Sequence, residues 1–276
     1  MSQPINTPTF SVVVASHGRP AWLKRCLTAL WQLDYPAFEI VVAADRAGLT
    51  ALSGHPAMAW GKSVQCDKPN ISETRNAGLA LAAGKFVAFI DDDAAPEPKW
   101  LRHHADALAA SGAVASVGYV RGRNGISFQS RAASIDAEAE THTEPHFGTA
   151  PFVPKLQPGR AAKLVGTNAV ISADILRKLG GFDPVYRYFM DDTDLSLRLA
   201  KAGHTTVIAP LAEVHHAFAA SNLRTAQRRP RSLFDVGRST SIYLRRHLSG
   251  GADEIRERVE KRELRRLHAH MVRGTC

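Results

Sequence analysis

The chain has 276 residues, 45% of them apolar, and a formal net charge of +9, enough for one large domain or two small ones with a substantial core. No stretch approaches the roughly 20 apolar residues of a membrane helix, Met1–Pro8 is too short and polar for a secretory signal, and the scattered Cys26, Cys66 and Cys276 form no metal or redox motif and fit a reducing cytoplasm. The charge is lopsided: residues 222–276 hold 14 Lys/Arg against 6 Asp/Glu, a balance of +8, so the remainder is nearly neutral and is not built to hold nucleic acid.

In chain order, Phe10–Ala15 has the composition of a buried strand. After the turn Ser16-His17-Gly18-Arg19, Pro20 suits a first helical position, and Leu23, Leu27, Leu30 and Trp31 recur at the spacing of a core-facing helix stripe. Phe38–Ala43 predicts a second strand running to Asp45, and Val64 a short third. Ser72 is the expected N-cap of a helix through Ala83, with Gly84 just past its end. A strand then runs into Asp91-Asp92-Asp93. Pro98–Ala110 predicts a helix, Ala113–Val120 a strand, and 121–159 long loops around a short strand. Lys163–Ile171 predicts a strand, Ala173–Leu179 a short helix, Asp192–Ala202 a helix and Thr205–Ala209 a strand continued near Val214. The tail is expected as two helices split at Gly250-Gly251. Strand–helix alternation in the first half implies a parallel sheet with right-handed crossovers.

Three carboxylates at the end of Lys85–Ile90, an apolar run, are the strongest chemical signal. Ligands of open α/β sheets bind beyond the carboxyl ends of the strands. Adjacent acids repel one another, and a hard divalent cation, Mg²⁺ or Mn²⁺, relieves that repulsion while holding a substrate's phosphates. A solvated acidic loop is the plain alternative. A second group, Asp191-Asp192-Thr193-Asp194, opens a helix; helix capping accounts for one or two such acids, and a general base beside a metal accounts for an adjacent pair. The pair His215-His216 follows a strand and offers a metal nitrogen or a structural hydrogen bond. Arg75 offers a bidentate phosphate contact or a surface charge. The first strand-to-helix turn has no G-x-G-x-x-G, so a dinucleotide is not expected, and there is no P-loop.

Taken together, Ser11-Val12-Val13-Val14 with Arg19-Pro20, Phe38–Val42 leading to Asp45, Thr74-Arg75-Asn76-Ala77-Gly78, Phe89–Asp93, Gly166-Thr167-Asn168, Gly180-Gly181-Phe182-Asp183 and Asp191–Leu195 resemble glycosyltransferase family 2. The resemblance spans about 10–221. It implies a GT-A-like α/β fold: a mostly parallel central sheet flanked by helices, here with a basic helical C-terminal tail. The implied division is a catalytic domain over 1–221, its nucleotide-sugar half about 1–112 and acceptor half 113–221, followed by an extension over 222–276. The implied activity is inverting, metal-dependent transfer of a sugar, of hexosyltransferase type, in cell-surface polysaccharide or glycolipid synthesis. The donor would be a nucleotide-diphospho sugar, a UDP-sugar favoured, and the acceptor a saccharide or lipid-linked hydroxyl.

Residue by residue, the resemblance implies that Asp192 is the base, with Asp191 where a Glu is usual beside it. Asp93 and Asp91, as the D-x-D, and His216 would hold Mg²⁺ or Mn²⁺. Ala15, His17, Arg19, Asp45, Arg75, Asp91 and Asp92 would line the nucleotide-sugar site. Ala44 precedes Asp45 where a second Asp is usual, and Ala15 stands where Thr or Pro is usual; both departures bear on nucleotide preference. The competing classes are a nucleotidyltransferase on a related fold, which would carry a glycine-rich loop, and a non-catalytic nucleotide-sugar-binding protein, against which the intact Asp93 and Asp192 argue. The expected location is cytoplasmic. The basic tail, including Arg228, Arg229 and Arg231, suggests peripheral contact with anionic membrane, a solvated helix or a protomer contact in a homo-oligomer.

Overall fold

The computed structural model describes residues 9–146, 148–225, 230–248 and 252–272. Met1–Pro8, Arg228, Arg229, the Gly250-Gly251 break and Cys276 lie outside them. The strands are β1 (Phe10–Ser16), β2 (Phe38–Ala44), β3 (Lys62–Gln65), β4 (Phe86–Asp91), β5 (Ala94–Pro96), β6 (Ala115–Arg121), β7 (Phe128–Ser130), β8 (Ala133–Ile135), β9 (Thr141–Thr143), β10 (Ala161–Ala162), β11 (Ala169–Ser172) and β12 (Thr206–His216). The helices are α1 (Pro20–Leu30), α2 (Arg46–Ala51), α3 (Ile71–Leu81), α4 (Trp100–Ser111), α5 (Ala173–Lys178), α6 (Asp191–Lys201), α7 (Phe234–His247) and α8 (Ala252–Val272).

The main sheet runs β3-β2-β1-β4-β11-β6-β12-β5, with β7 paired to β6. Its first four strands are parallel; β11 is antiparallel to both neighbours, and β12 is parallel to β6. Helices cover both faces, so the β1 and β4 strands are apolar on both sides. Val12, Val14, Phe86, Ala88 and Ile90 pack toward α1 and α4, whereas Val13, Val87 and Phe89 pack toward α3, α5 and α6. A third core joins α7 to α6 through Tyr186, Met190, Leu197, Tyr243 and Leu244.

Four expectations change on tertiary contact. Asn70, not Ser72, caps α3: its Oδ1 accepts from Ser72 N at 3.1 Å and Glu73 N at 3.2 Å, and Ser72 Oγ donates instead to Tyr186 O at 2.7 Å. Gly84 is not a left-handed cap, since α3 ends at Ala82 in extended backbone. It is required because a Cβ there would lie 2.6 Å from Ser11 N. Trp31 is exposed and stacks on Trp60, centroids 5.4 Å apart; Cys26 takes the place in the stripe that faces the core. Lys163–Ile171 is not one strand: the chain turns at Gly166-Thr167, with Asn168 N donating to Val165 O at 2.7 Å, and pairs only from Ala169.

Asn168 is the reason for that turn. Its Oδ1 accepts from Trp100 Nε1 (2.7 Å) and lies 3.0 Å from His104 Nε2, while its Nδ2 donates to Tyr119 O and Ala212 O at 2.9 and 2.7 Å. The side chain thus satisfies buried groups of α4, β6 and β12 at once. Pro210 interrupts the β12 ladder, and the register shifts between Ala209 and Val214. At that bulge a Cβ on Gly118 would lie 1.9 Å from Ala212 O.

His104 is fully enclosed, with Nδ1 2.8 Å from Ser116 Oγ, and burial, with a smaller push from His103, holds its imidazole down at about 4. A histidine lowered in the folded state stabilises the fold above its unfolded pKa of roughly 6.5, and that contribution fades as pH falls toward 4. Between pH 7 and 5 the wild type is expected to lose about 2 kcal/mol more than His104→Gln. Urea unfolding of both proteins at the two pH values measures this; parallel losses would refute it. Asp92, whose buried carboxyl titrates in the opposite sense, is common to both proteins and cancels in the difference.

The tail helices are not free of the body. Arg258 and Arg262 of α8 reach Glu138 and Glu140, and Lys261 and Arg256 pair with Glu257 and Asp253 within the helix. Much of the local positive charge is therefore matched inside the molecule. Among the described residues, no helix is long and apolar enough to cross a membrane.

Candidate active site

The acid triplet is divided where β4 ends, with Asp91 its last residue and Asp92-Asp93 in the turn that leads to β5. Asp91 follows the face of Val87 and Phe89 and meets Arg75 of α3, whose Nη2 lies 3.0 Å from Asp91 Oδ1. Asp92 turns the other way and is fully buried, with Oδ2 accepting from Ser16 Oγ (2.6 Å) and Arg19 Nε (3.1 Å). Burial pushes its carboxyl up to about 7, against the pull of Arg19 and with help from Asp93. Asp93 begins the return toward β12. Its Oδ2 accepts from Ala219 N at 2.7 Å, and its Oδ1 is 3.2 Å from His216 Nε2. Burial alone would raise the Asp93 carboxyl; the His216 hydrogen bond and charge, together with Arg19, hold it well below the usual carboxylate range.

His216 Nε2 also lies 3.9 Å from Asp91 Oδ2, and ligand atoms of Asp91, Asp93 and His216 all fall within 4.8 Å of one another. Two carboxylates and an imidazole converging in this way form a donor set suited to a divalent cation. On its other side, His216 Nδ1 is 2.8 Å from Gln129 Oε1. An Nδ1 proton donated to that amide oxygen fixes the ring, so that Nε2, which donates to Asp93 here, is the nitrogen that would give up its proton to face a cation. The residues present therefore fit Mg²⁺ or Mn²⁺. His215 is not in the group: its Nε2 is 2.6 Å from Glu97 Oε1.

The second acidic motif joins the first through Arg75. The guanidinium is buried beneath Gly166, where a Cβ would lie 2.3 Å from Nη2, and it pairs with Asp191 of α6 as well as Asp91. Burial raises the Asp191 carboxyl, Arg75 opposes this and Asp192 adds to it. Asp192 is partly open; its Oδ2 accepts from Gly166 N at 2.8 Å and its Oδ1 from Thr193 Oγ1 at 3.2 Å. None of these acids is the α6 cap. The N-cap is Met190, left-handed at φ 71°, preceded by Phe189 at φ 73°. Two successive non-glycine residues in that region cost on the order of 1–3 kcal/mol each, so capping preference does not account for the motif.

The remaining predicted positions lie along the β1 and β2 ends. Ala15 is buried, in register with Asp91 across β4. Asp45 caps α2 through Gly48 N (2.8 Å) and accepts from Gly18 N (2.8 Å), bridging the two loops. His17 is exposed, with Nε2 3.1 Å from Asp67 O. Gln129, Ser16 and Gly166, none of them an expected site residue, reach the same centre. A lone Gln in an irregular stretch carries no periodic or motif signal, whereas Gly166 lies inside a quoted motif.

The family model described as Glycosyltransferase like family 2 matches residues 8–234. The chain belongs to glycosyltransferase family 2. Among its relatives, the Pre-mycofactocin glycosyltransferase of Mycobacterium tuberculosis (strain CDC 1551 / Oshkosh) is 33% identical over 148 residues, covering 51% of this chain and 29% of the relative. The Succinoglycan biosynthesis protein ExoM of Rhizobium meliloti is 30% identical over 221 residues, 77% of this chain and 68% of the relative. The chain thus spans under a third of the mycobacterial protein and about two thirds of ExoM. Similar solved folds include GalNAc-T7 with UDP, GalNAc and Mn²⁺ (TM-score 0.60, 16% identity, 77% of this chain and 44% of that one). S. aureus TarS 1-349 with UDP-GlcNAc is similar at TM-score 0.60 and 16% identity, over 90% and 70% of the two chains. The mannosyltransferase PcManGT of Pyrobaculum calidifontis with GDP-Man and Mn²⁺ has TM-score 0.55 and 20% identity, over 79% and 59%. These likenesses establish the GT-A-type fold: a mixed α/β sheet between helical layers.

Proposed function

We propose that this protein transfers a sugar, with inversion, from a nucleotide-diphospho sugar to an acceptor hydroxyl. The observation that carries this is Arg75, which links Asp91 at the end of β4 to Asp191 at the start of α6 and so unites a cation-binding donor set with a carboxylate pair. Asp192 takes the acceptor's proton as its oxygen attacks the anomeric carbon from the face opposite the leaving diphosphate. Gly166 N holds Asp192 Oδ2 and so fixes the direction of the acceptor-facing carboxylate. Asp91, Asp93 and His216 would hold Mg²⁺ or Mn²⁺, which when bound neutralises charge on the diphosphate. Asp45, His17 and Arg19 sit along the nucleotide side, and Asp92 anchors Arg19 there. A hollow of about 590 Å³, lined by Arg123, Asn124, Phe128, Gln129 and Phe218, belongs to the irregular stretch assigned to the acceptor.

A cell-surface polysaccharide or glycolipid as acceptor is supported by the similarity to ExoM, a succinoglycan biosynthesis protein. The UDP- and GDP-sugars and Mn²⁺ held by the similar folds support the donor class and the cation. The test is a thermal-shift screen of UDP- and GDP-sugars with Mg²⁺ or Mn²⁺, followed by assay of nucleoside diphosphate release. At a hundredfold excess over Kd, the correct donor is expected to stabilise the protein by about 2.7 kcal/mol. No stabilisation by any nucleotide sugar with either cation, and no diphosphate released, would overturn the reading.

A further inference from the structure

The segment that leads into α6 is tethered from two sides. From α3, Asn76 Nδ2 donates to Phe182 O (2.6 Å), Asn70 Nδ2 to Pro184 O (2.9 Å), Ser72 Oγ to Tyr186 O (2.7 Å) and Ile71 N to Arg187 O (3.1 Å). From α7, Arg238 Nη1 donates to Val185 O at 2.7 Å and Ser239 Oγ to Tyr188 O at 2.9 Å, while Arg246 pairs with Asp183. Ser239 is thus the last tether before Phe189 and Met190, the two left-handed residues. Beyond them, α7 grips the helix itself. His247 Nε2 lies 2.8 Å from Oδ1 of the fully buried Asp194, which also accepts from Arg198 Nε (2.7 Å) and Tyr186 OH (3.3 Å). Lys201 Nζ, which can only donate, faces His247 Nδ1 at 3.1 Å, so the Nε2 proton points at Asp194.

We propose that α7 is a positioning element for the reaction: Ser239 and His247 hold the left-handed turn and the first turn of α6 so that Asp192 faces the acceptor. The inference rests on the sugar-transfer reading above. It goes beyond the family likeness, because α7 occupies Phe234–His247 and the family match ends at residue 234. The physical reason is local. A strained Phe189-Met190 pair persists only where surrounding contacts over-determine it; on its α7 side Ser239 and His247 supply directed hydrogen bonds next to the apolar packing of Met190 with Tyr243 and Leu244 and the longer Arg246–Asp194 ion pair. Released, the turn can relax and swing the adjacent Asp191-Asp192 pair, while the nucleotide-side residues of β1, β2 and α1 are untouched.

The test compares the wild type with Ser239→Ala, His247→Leu and His247→Gln, the last of which keeps an N–H donor for Asp194. The readouts are kcat, donor KM, melting temperature and hydrogen exchange of peptides covering 186–197. Ser239→Ala and His247→Leu are expected to lower kcat by about tenfold or more, since small misplacements of a reacting group are costly, with donor KM within about twofold. Exchange should rise in 186–197 and not in β1 or β4, and His247→Gln should restore both kcat and protection. Unchanged kcat per folded molecule with unchanged exchange in 186–197 would overturn the proposal, as would faster exchange spread evenly over the sheet. If the wild type transfers no sugar, the functional reading fails by itself, and exchange in 186–197 still decides whether α7 holds the turn.

Discussion

Asp192→Asn is expected to fold, to bind donor with nearly wild-type affinity and to transfer sugar about 10²–10⁴-fold more slowly, the range a positioned general base contributes. The amide keeps the shape of the side chain, and its oxygen can still accept from Gly166 N, the bond that orients Asp192 at 2.8 Å. What it loses is the capacity to take a proton. Its neighbour supplies the contrast. Asp191 is buried and paired with Arg75, so Asp191→Asn removes a partner from an enclosed guanidinium and should lower stability and donor binding together. Initial rates with saturating donor, beside calorimetric donor affinity for each variant, separate the two. A crippled Asp191→Asn enzyme beside a near-normal Asp192→Asn enzyme would assign the base to the wrong carboxylate.

Asp93→Asn is expected to lose the Mn²⁺-dependent part of nucleoside diphosphate binding. Asp93 is enclosed between His216, Arg19 and Ala219 N. Both Asn and Ala remove the negative charge that faces Arg19 and His216, but Asn keeps an oxygen for Ala219 N and the volume of the side chain, whereas Ala would leave that buried N–H without its acceptor. Removing outer-shell support of a metal typically costs 10–100-fold in affinity, so loss of a ligand should cost more than about 100-fold. Calorimetric titration of UDP and GDP, with and without Mn²⁺, measures it. Equal metal-dependent affinity in wild type and variant would remove Asp93 from the cation site. His216 makes the stronger companion variant, because His215, one residue away, is engaged by Glu97 and has no place to substitute for it.

The parts of the fold that the sequence displays openly are those where one short stretch carries the physics. β1 and β4 are legible because helices on both faces demand apolar residues on both sides of the strand, and α1 because Leu23, Leu27 and Leu30 repeat with the helical period. The parts that mislead are those where a distant group takes over a local role. Ser72 has good capping chemistry, yet Asn70 two residues earlier caps the helix and Tyr186 O claims the Ser72 hydroxyl. Val165 and Ile171 flank residues of strand-like composition, yet Asn168 turns the chain to serve Trp100, Tyr119 and Ala212.

The same division holds for the site. By itself the sequence determined that acids stand at the end of a buried strand and at the start of a helix, because apolar runs, helical periods and charge changes are local properties written in consecutive residues. It also carried enough ordered motifs to place the chain in glycosyltransferase family 2. Only the tertiary structure decided which carboxylate faces which partner: Asp91 toward Arg75, Asp92 toward Arg19 and Ser16, Asp93 toward His216. It alone brought in Gln129 behind His216 and α7 behind the Phe189-Met190 turn. Those pairings join residues 16 to 123 positions apart, and no periodicity along a chain encodes them; they follow from the turn at the end of β4, the crossing of the helices and the close approaches that Gly118 and Gly166 permit.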